Sequence, residues 1–284
     1  MMQFADPSLT RLRDRLPGLR AEWQSKKPFR YLVVEDFLDP AFAEAILSAY
    51  PQPDPSLWDV TTYAHQRRKF VLTRDFPEPI REFFAMTASQ RCRDLFSDLT
   101  GIPKLLDDSE LLGGGLHQTA SGGFLDVHVD FNLHPRTKLH RRLNLLVYMN
   151  KDWRPEFEGH LELWDMTEKR KLEHVAPLFN RAVLFETNEI SFHGHPKPLA
   201  TPPGIMRRSL AIYYYTKERD APELAVEHNT IYKQTTGTKG YVKTLISSAQ
   251  AAVERLHTGG AWKLSQDLVR KSYRKLRGLP PENR

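Results

Sequence analysis

Cysteine is almost absent: Cys92 is the only one in 284 residues. A single thiol excludes an internal disulfide and a cysteine-built metal site, and it fits a reducing compartment. Cys92 itself reads as a small apolar core residue on a helix. Long apolar runs are missing too. No stretch approaches the eighteen or so residues that span a bilayer. The opening Met1-Met2-Gln3-Phe4-Ala5-Asp6-Pro7 has no basic region followed by an apolar one. Neither a membrane helix nor a signal peptide is therefore expected, and the chain reads as cytoplasmic. Internal repeats and low-complexity segments are absent as well.

The sequence does carry ample core material, with 40% hydrophobic and 11% aromatic residues. That suits one large domain, or one domain with appendages. The net charge of +6 is unevenly placed. Residues 235–284 hold ten Lys or Arg against three acids, so the basicity belongs to the tail and the rest is close to neutral. The chain divides into an N-terminal helix (1–27), a central domain (28–216) and a basic helical C-terminal extension (217–284).

Leu9, Leu12, Leu16, Leu19 and Trp23 at helical spacing predict an amphipathic helix over 8–26 packed on the domain. Pro28 to Phe37 reads as a strand. Asp39-Pro40 opens a helix to about Tyr50, with Asp39 as cap and proline at the first helical position. Residues 56–76 read as irregular or short strands. The basic run Gln66-Arg67-Arg68-Lys69 within them is either a solvated loop or a contact to an anionic substrate. Residues 78–100 read as one core helix closed by Gly101. From about 109 the pattern turns to closely spaced short strands, as in a sandwich or barrel. After Thr216 a mixed connector leads to two expected helices, Gly240–His257 and Trp262–Leu276.

The centre of the strand region is Gly122-Gly123-Phe124-Leu125-Asp126-Val127-His128-Val129-Asp130. On a strand, residues two apart share a face, so His128 and Asp130 can take neighbouring positions on a metal. The candidate third ligand is His193 in Ser191-Phe192-His193-Gly194-His195. His195, on the same face two residues on, competes with it. Two His and one carboxylate with open opposite positions form the facial triad of non-haem Fe(II) oxygenases. The bare His-x-Asp is weak. The ordered set around it is stronger: the glycine approach, the apolar strand Leu143–Tyr148 running into Met149-Asn150-Lys151-Asp152-Trp153, the Ser-Phe-His-Gly stretch, and Arg207-Arg208-Ser209.

On these motifs the chain, from about Pro28 to Thr216, resembles the 2-oxoglutarate- and Fe(II)-dependent dioxygenases of the prolyl 4-hydroxylase-like group. The resemblance implies a mainly β fold with flanking helices around a double-stranded β-helix, or jelly-roll, core. It implies Fe(II) held by His128, Asp130 and His193, with 2-oxoglutarate and O2 as cosubstrates and ascorbate as a candidate reductant. Arg207 and Ser209 match the family's Arg-x-Ser pattern for the far carboxylate of 2-oxoglutarate, and a guanidinium suits that carboxylate because it can bind it through two parallel hydrogen bonds. A slip of one residue would hand the role to Arg208. Tyr148 matches a position that bonds the same carboxylate, and Asn144 is expected on the same face. Ten residues before His128, where prolyl hydroxylases often have Tyr, stands Gln118, a further candidate for the cosubstrate or substrate.

The implied activity is hydroxylation of a C–H bond in a peptide, amino-acid or small-molecule substrate, with release of succinate and CO2. Because Asp130 is present, hydroxylation is expected rather than the chlorination of related enzymes that replace this carboxylate. Two other classes stay open: a jelly-roll binding protein without turnover, and a nucleic-acid or acidic-partner binder acting through residues 235–284.

Overall fold

The computed structural model describes residues 5–54, 56–233 and 235. The two helices expected after Gly240 lie outside the described residues. Among the described residues, five α-helices and twelve strands follow in chain order: α1 (Ala5–Asp14), α2 (Leu16–Ser25), β1 (Tyr31–Val34), α3 (Pro40–Ala49), β2 (Asp59–Tyr63), β3 (Gln66–Leu72), α4 (Glu78–Ala88), α5 (Gln90–Thr100), β4 (Leu106–Asp107), β5 (Gly115–Val129), β6 (His140–Tyr148), β7 (Leu161–Asp165), β8 (Arg170–Val175), β9 (Ala182–Glu186), β10 (Phe192–His195), β11 (Arg207–Thr216) and β12 (Ile231–Tyr232). The main path of the sheet runs β1-β9-β6-β11-β5-β10-β7-β8, with β3 and β12 also paired to β5. The antiparallel strands curl into a nearly closed double-stranded β-helix.

Strand alternation divides the core. On β6, Leu143, Leu145 and Val147 face the helices, and on β11 Leu210, Ile212 and Tyr214 do the same. They pack with Phe42, Ile46, Phe83 and Phe96 from α3, α4 and α5. Leu9, Leu12, Leu19 and Trp23 join this cluster, so the N-terminal segment is packed on the domain as expected. Each such fully buried side chain stabilises the fold by roughly 1.5–3 kcal/mol. The opposite faces of the same strands, including Asn144, Tyr148, Arg207 and Ser209, are left to line the interior of the curl.

Two expected single helices are pairs. The first breaks at Arg15, just before Leu16-Pro17 opens α2. The second breaks at Ser89, which is extended and whose hydroxyl accepts from the Cys92 amide as the cap of α5. α5 ends at Gly101, whose φ of +80° is the left-handed conformation that glycine adopts without strain. Residues 217–233, expected as a mixed connector, return to the domain. Asn132 holds the segment through the Val226 carbonyl and the His228 amide, and β12 pairs Tyr232 with His128.

Candidate metal centre

The strand carrying His128 is long and bent. The sequence suggests separate strands before and after Gly122; β5 is continuous, and the glycines form its bend. Gly122 has φ +76°. A Cβ on Gly123 would lie 2.8 Å from the carbonyl oxygens of Ala120 and Arg67. β10 pairs with the second half of β5, setting His193 directly opposite His128. The close approach requires Gly194, where a Cβ would stand 2.8 Å from the Asp126 carbonyl oxygen. Asp130 lies one residue past the end of β5.

Ligand atoms of His128, Asp130 and His193 all lie within 4.8 Å of one another, and theirs is the metal-type cluster found among the described residues. The carboxylate oxygens of Asp130 stand 3.5 Å from His128 Nε2 and 3.4 Å from His193 Nε2. His128 Nδ1 bonds the Asp126 carbonyl at 2.8 Å, and His193 Nδ1 bonds the Ser191 carbonyl at 3.0 Å. A carbonyl can only accept, so each Nδ1 carries a proton and each Nε2 faces the shared space. Burial, helped by His128, pushes the His193 imidazole down to about 4, which keeps it neutral. Burial alone would raise the Asp130 carboxyl, yet the Arg141 guanidinium holds it well below the usual range. Two imidazoles and one carboxylate, each oriented by a second bond, fit a divalent transition metal. His195 lines the same cavity but is outside the cluster.

Asp130 is also held from the side. Asn144 Nδ2 donates to its Oδ2 at 2.7 Å. Arg141 Nη2 stands 2.9 Å from the same oxygen, an ion pair without hydrogen-bond geometry. Arg141 Nε in turn donates to Asn144 Oδ1, and the guanidinium lies over the Tyr213 ring. The sequence groups Asn144 with the cosubstrate contacts; here it bonds the carboxylate of the triad instead. Arg141 was not anticipated, since a basic residue at the start of an apolar strand looks like a solvated end.

A cavity of about 190 Å³ adjoins the triad. Arg207 and Ser209 line it. Arg207 Nε donates to the Gly159 carbonyl at 2.7 Å, and Nη2 donates to Tyr148 Oη at 3.2 Å. Burial pushes the Tyr148 phenol up, so it stays protonated. Arg208 faces the other way, with its guanidinium over Tyr50 and Nε 3.4 Å from Gln118 Oε1. Alternation therefore favours Arg207. The same alternation removes Gln118 from the cavity: its amide donates to the Pro51 carbonyl, while its neighbours His117 and Thr119 face inward.

Three inward-facing residues had little sequence signal. Lys69 and Gln66 both line the cavity although they are three apart on a strand. The reason is a bulge between Arg67 and Lys69, with Arg68 at φ +51°. Burial, partly offset by Asp130, pushes the Lys69 ammonium down to about 8, so it is still cationic at neutral pH. Tyr232 comes from the returning segment; its hydroxyl is 2.5 Å from that of Tyr63 and its ring stacks on His65.

A double-stranded β-helix with a His-Asp-His cluster beside a buried arginine is an arrangement that can hold a metal ion, and the comparisons with known proteins point the same way. Residues 114–215 match the model of the 2OG-Fe(II) oxygenase superfamily. That match spans the stretch from β5 to β11 that carries His128, Asp130, His193, Arg207 and Ser209, and the proteins of that superfamily use Fe(II), 2-oxoglutarate and O2. No curated protein matches the sequence of this chain. Among solved structures it is similar to a prolyl-4-hydroxylase from Pseudomonas putida (17% identity, TM-score 0.52, 70% of this chain and 100% of that one). A prolyl 4-hydroxylase from Phytophthora capsici matches at 17% identity and TM-score 0.54, covering 91% of this chain and 90% of that one. A prolyl hydroxylase from Trichoplax adhaerens, solved with a hypoxia inducible factor peptide fragment, matches at 15% and TM-score 0.52, covering 72% of this chain and 92% of that one. At these identities the likeness establishes the fold. Among the described residues no helix is long and apolar enough to cross a membrane.

Proposed function

We propose that His128, Asp130 and His193 hold Fe(II), that Arg207 and Tyr148 bind the far carboxylate of 2-oxoglutarate, and that the enzyme hydroxylates a C–H bond of a peptide, amino-acid or small-molecule substrate. Succinate and CO2 are the accompanying products. The observation that carries this reading is the convergence of three oriented donors on one point at the edge of a cavity that also contains a buried guanidinium.

Iron with 2-oxoglutarate supplies the oxidising chemistry when bound. The chain supplies position and exclusion. The Nδ1 bonds of His128 and His193 fix both rings, and Asn144 fixes the carboxylate of Asp130. Arg207 uses Nε and one Nη2 proton on protein acceptors, leaving its other N–H groups for a carboxylate. Ser209, two residues on, lines the same wall. Thr230 and Tyr232 close the side next to His128 and limit access of water. The small cavity suits a substrate that inserts one compact group.

Anaerobic visible absorption tests the reading. Fe(II) followed by 2-oxoglutarate should give a charge-transfer band that neither gives alone, and His128→Ala or Asp130→Ala should lose it. A folded wild-type protein without the band would refute the assignment.

A further inference from the structure

Charge in the cavity is out of balance. Three cationic side chains line it, Lys69, Arg141 and Arg207, against one acid, Asp130. Arg141 is committed to Asp130. Arg207 is held by Gly159 and Tyr148. Lys69 has no hydrogen-bond or ion-pair partner among the described residues. Iron and 2-oxoglutarate would not change the balance, because a dication and a dianion cancel. A part-buried ammonium without a counter-ion costs free energy, so its retention in a reaction cavity points to an anion that arrives with the reactants.

The sheet separates that anion from the cosubstrate. Lys69 on β3 pairs with Thr119 on β5, and Thr119 pairs with Arg207 on β11, so the two cations lie in one cross-strand row, two strands apart. That spacing is about 10 Å between backbones. The Arg207 guanidinium turns toward Tyr148 on β6, on the far side of β11 from Lys69. One carboxylate on Arg207 therefore does not neutralise Lys69.

We propose that Lys69 is the substrate-recognition residue of the cavity and pairs with an anionic group, a carboxylate or phosphate, of the molecule that is oxidised. The proposal rests on the reading of the site as an Fe(II)/2-oxoglutarate centre. It narrows the substrate class to compact acids, or to chains presenting an acidic group beside the C–H bond attacked. Lys69 is the only one of the residues Arg67, Arg68 and Lys69 placed in the cavity wall, so the bulge at Arg68 selects it.

The test uses the full chain loaded anaerobically with Mn(II) in place of iron. Binding of 2-oxoglutarate is measured first. Acetate and inorganic phosphate are then titrated as probes, read by paramagnetic relaxation of the acetate methyl protons and of the phosphate phosphorus. Saturable binding of at least one probe is expected. Lys69→Met should weaken it at least tenfold, Lys69→Arg should keep it within threefold, and 2-oxoglutarate affinity in Lys69→Met should stay within threefold of wild type. Which probe binds distinguishes a carboxylate from a phosphate. The proposal is overturned if neither probe binds or if Lys69→Met binds them as wild type does. It is equally overturned if Lys69→Met loses tenfold in 2-oxoglutarate affinity, because the lysine then serves the cosubstrate. Failure of wild type to bind 2-oxoglutarate would overturn the underlying reading, and it is seen before any probe is added.

Discussion

Arg141 offers the sharpest perturbation, because its effect should depend on whether a metal is bound. It is 1% exposed, and Asp130 beside it is the acid of the proposed triad. In the metal-free protein, Arg141→Met leaves a buried carboxylate without its counter-charge. Removing one member of a buried ion pair costs about 3–5 kcal/mol. Asn144 still donates to the same oxygen, which places the expected loss near the low end, about 3 kcal/mol. With a divalent metal on Asp130 the counter-charge is restored. What is then lost is the Arg141–Asn144 hydrogen bond and the stacking on Tyr213, about 1 kcal/mol. The thermodynamic cycle assigns the difference, about 2 kcal/mol, to metal binding, a tightening of roughly 30-fold. Urea unfolding with chelator and with saturating Mn(II), together with a metal titration, measures all four corners. Equal destabilisation in both states, or weaker metal binding in the variant, would refute the view that Arg141 stands in for the metal as the partner of Asp130.

Three further outcomes follow from the same geometry. Arg207→Met should weaken 2-oxoglutarate binding about 30-fold or more through loss of charge-assisted hydrogen bonds, whereas Arg208→Met should cost less than threefold; a reversed order in anaerobic titrations would mean the strand register has been misread. Gly194→Ala should lower metal content at least tenfold after dialysis, because its Cβ would push β10 away from β5 at the Asp126 carbonyl and separate His193 from His128; unchanged content would show that the strands tolerate the shift. The metal-free protein should lose stability as pH falls from about 6.5 to 4, since His193 refuses a proton that the unfolded chain accepts across that window. The depressed His117 adds in the same direction, and the His193 part alone is up to about 3 kcal/mol. A flat profile of unfolding free energy between pH 7 and 5 would contradict the burial of these neutral rings.

The His-Asp-His cluster was legible because it depends on short-range rules. His128 and Asp130 are two apart and His193 sits in its own short motif, so strand periodicity suffices to propose a common face. The same rule distinguishes Arg207 from Arg208 once β11 is known to be a strand. Gln118 shows the limit. A straight count back from His128 points to it, but the bend at Gly122 lies between them, and the first half of β5 presents His117 and Thr119 instead. Helix breaks at Arg15 and Ser89 were hidden for a related reason: apolar periodicity continued across them, and the cap that marks the second is one serine hydroxyl.

Lys69 was hidden more deeply, and the reason bears on where the proposed substrate contact lies. Four polar residues in a row, Gln66 to Lys69, carry no periodic signal, and a regular strand would send Gln66 and Lys69 to opposite faces. Only the left-handed Arg68 turns both inward, and a non-glycine residue in that conformation is visible in coordinates but not in composition. Tyr232 is hidden by distance: it reaches His128 after more than a hundred intervening residues, through a two-residue strand with no pattern of its own. The triad is thus built from local order that a sequence displays, while the facing walls of the cavity are built from a bulge and a returning segment. Those are the features most easily altered without disturbing the His-Asp-His cluster, and on the proposed function they are where a change of substrate would be made.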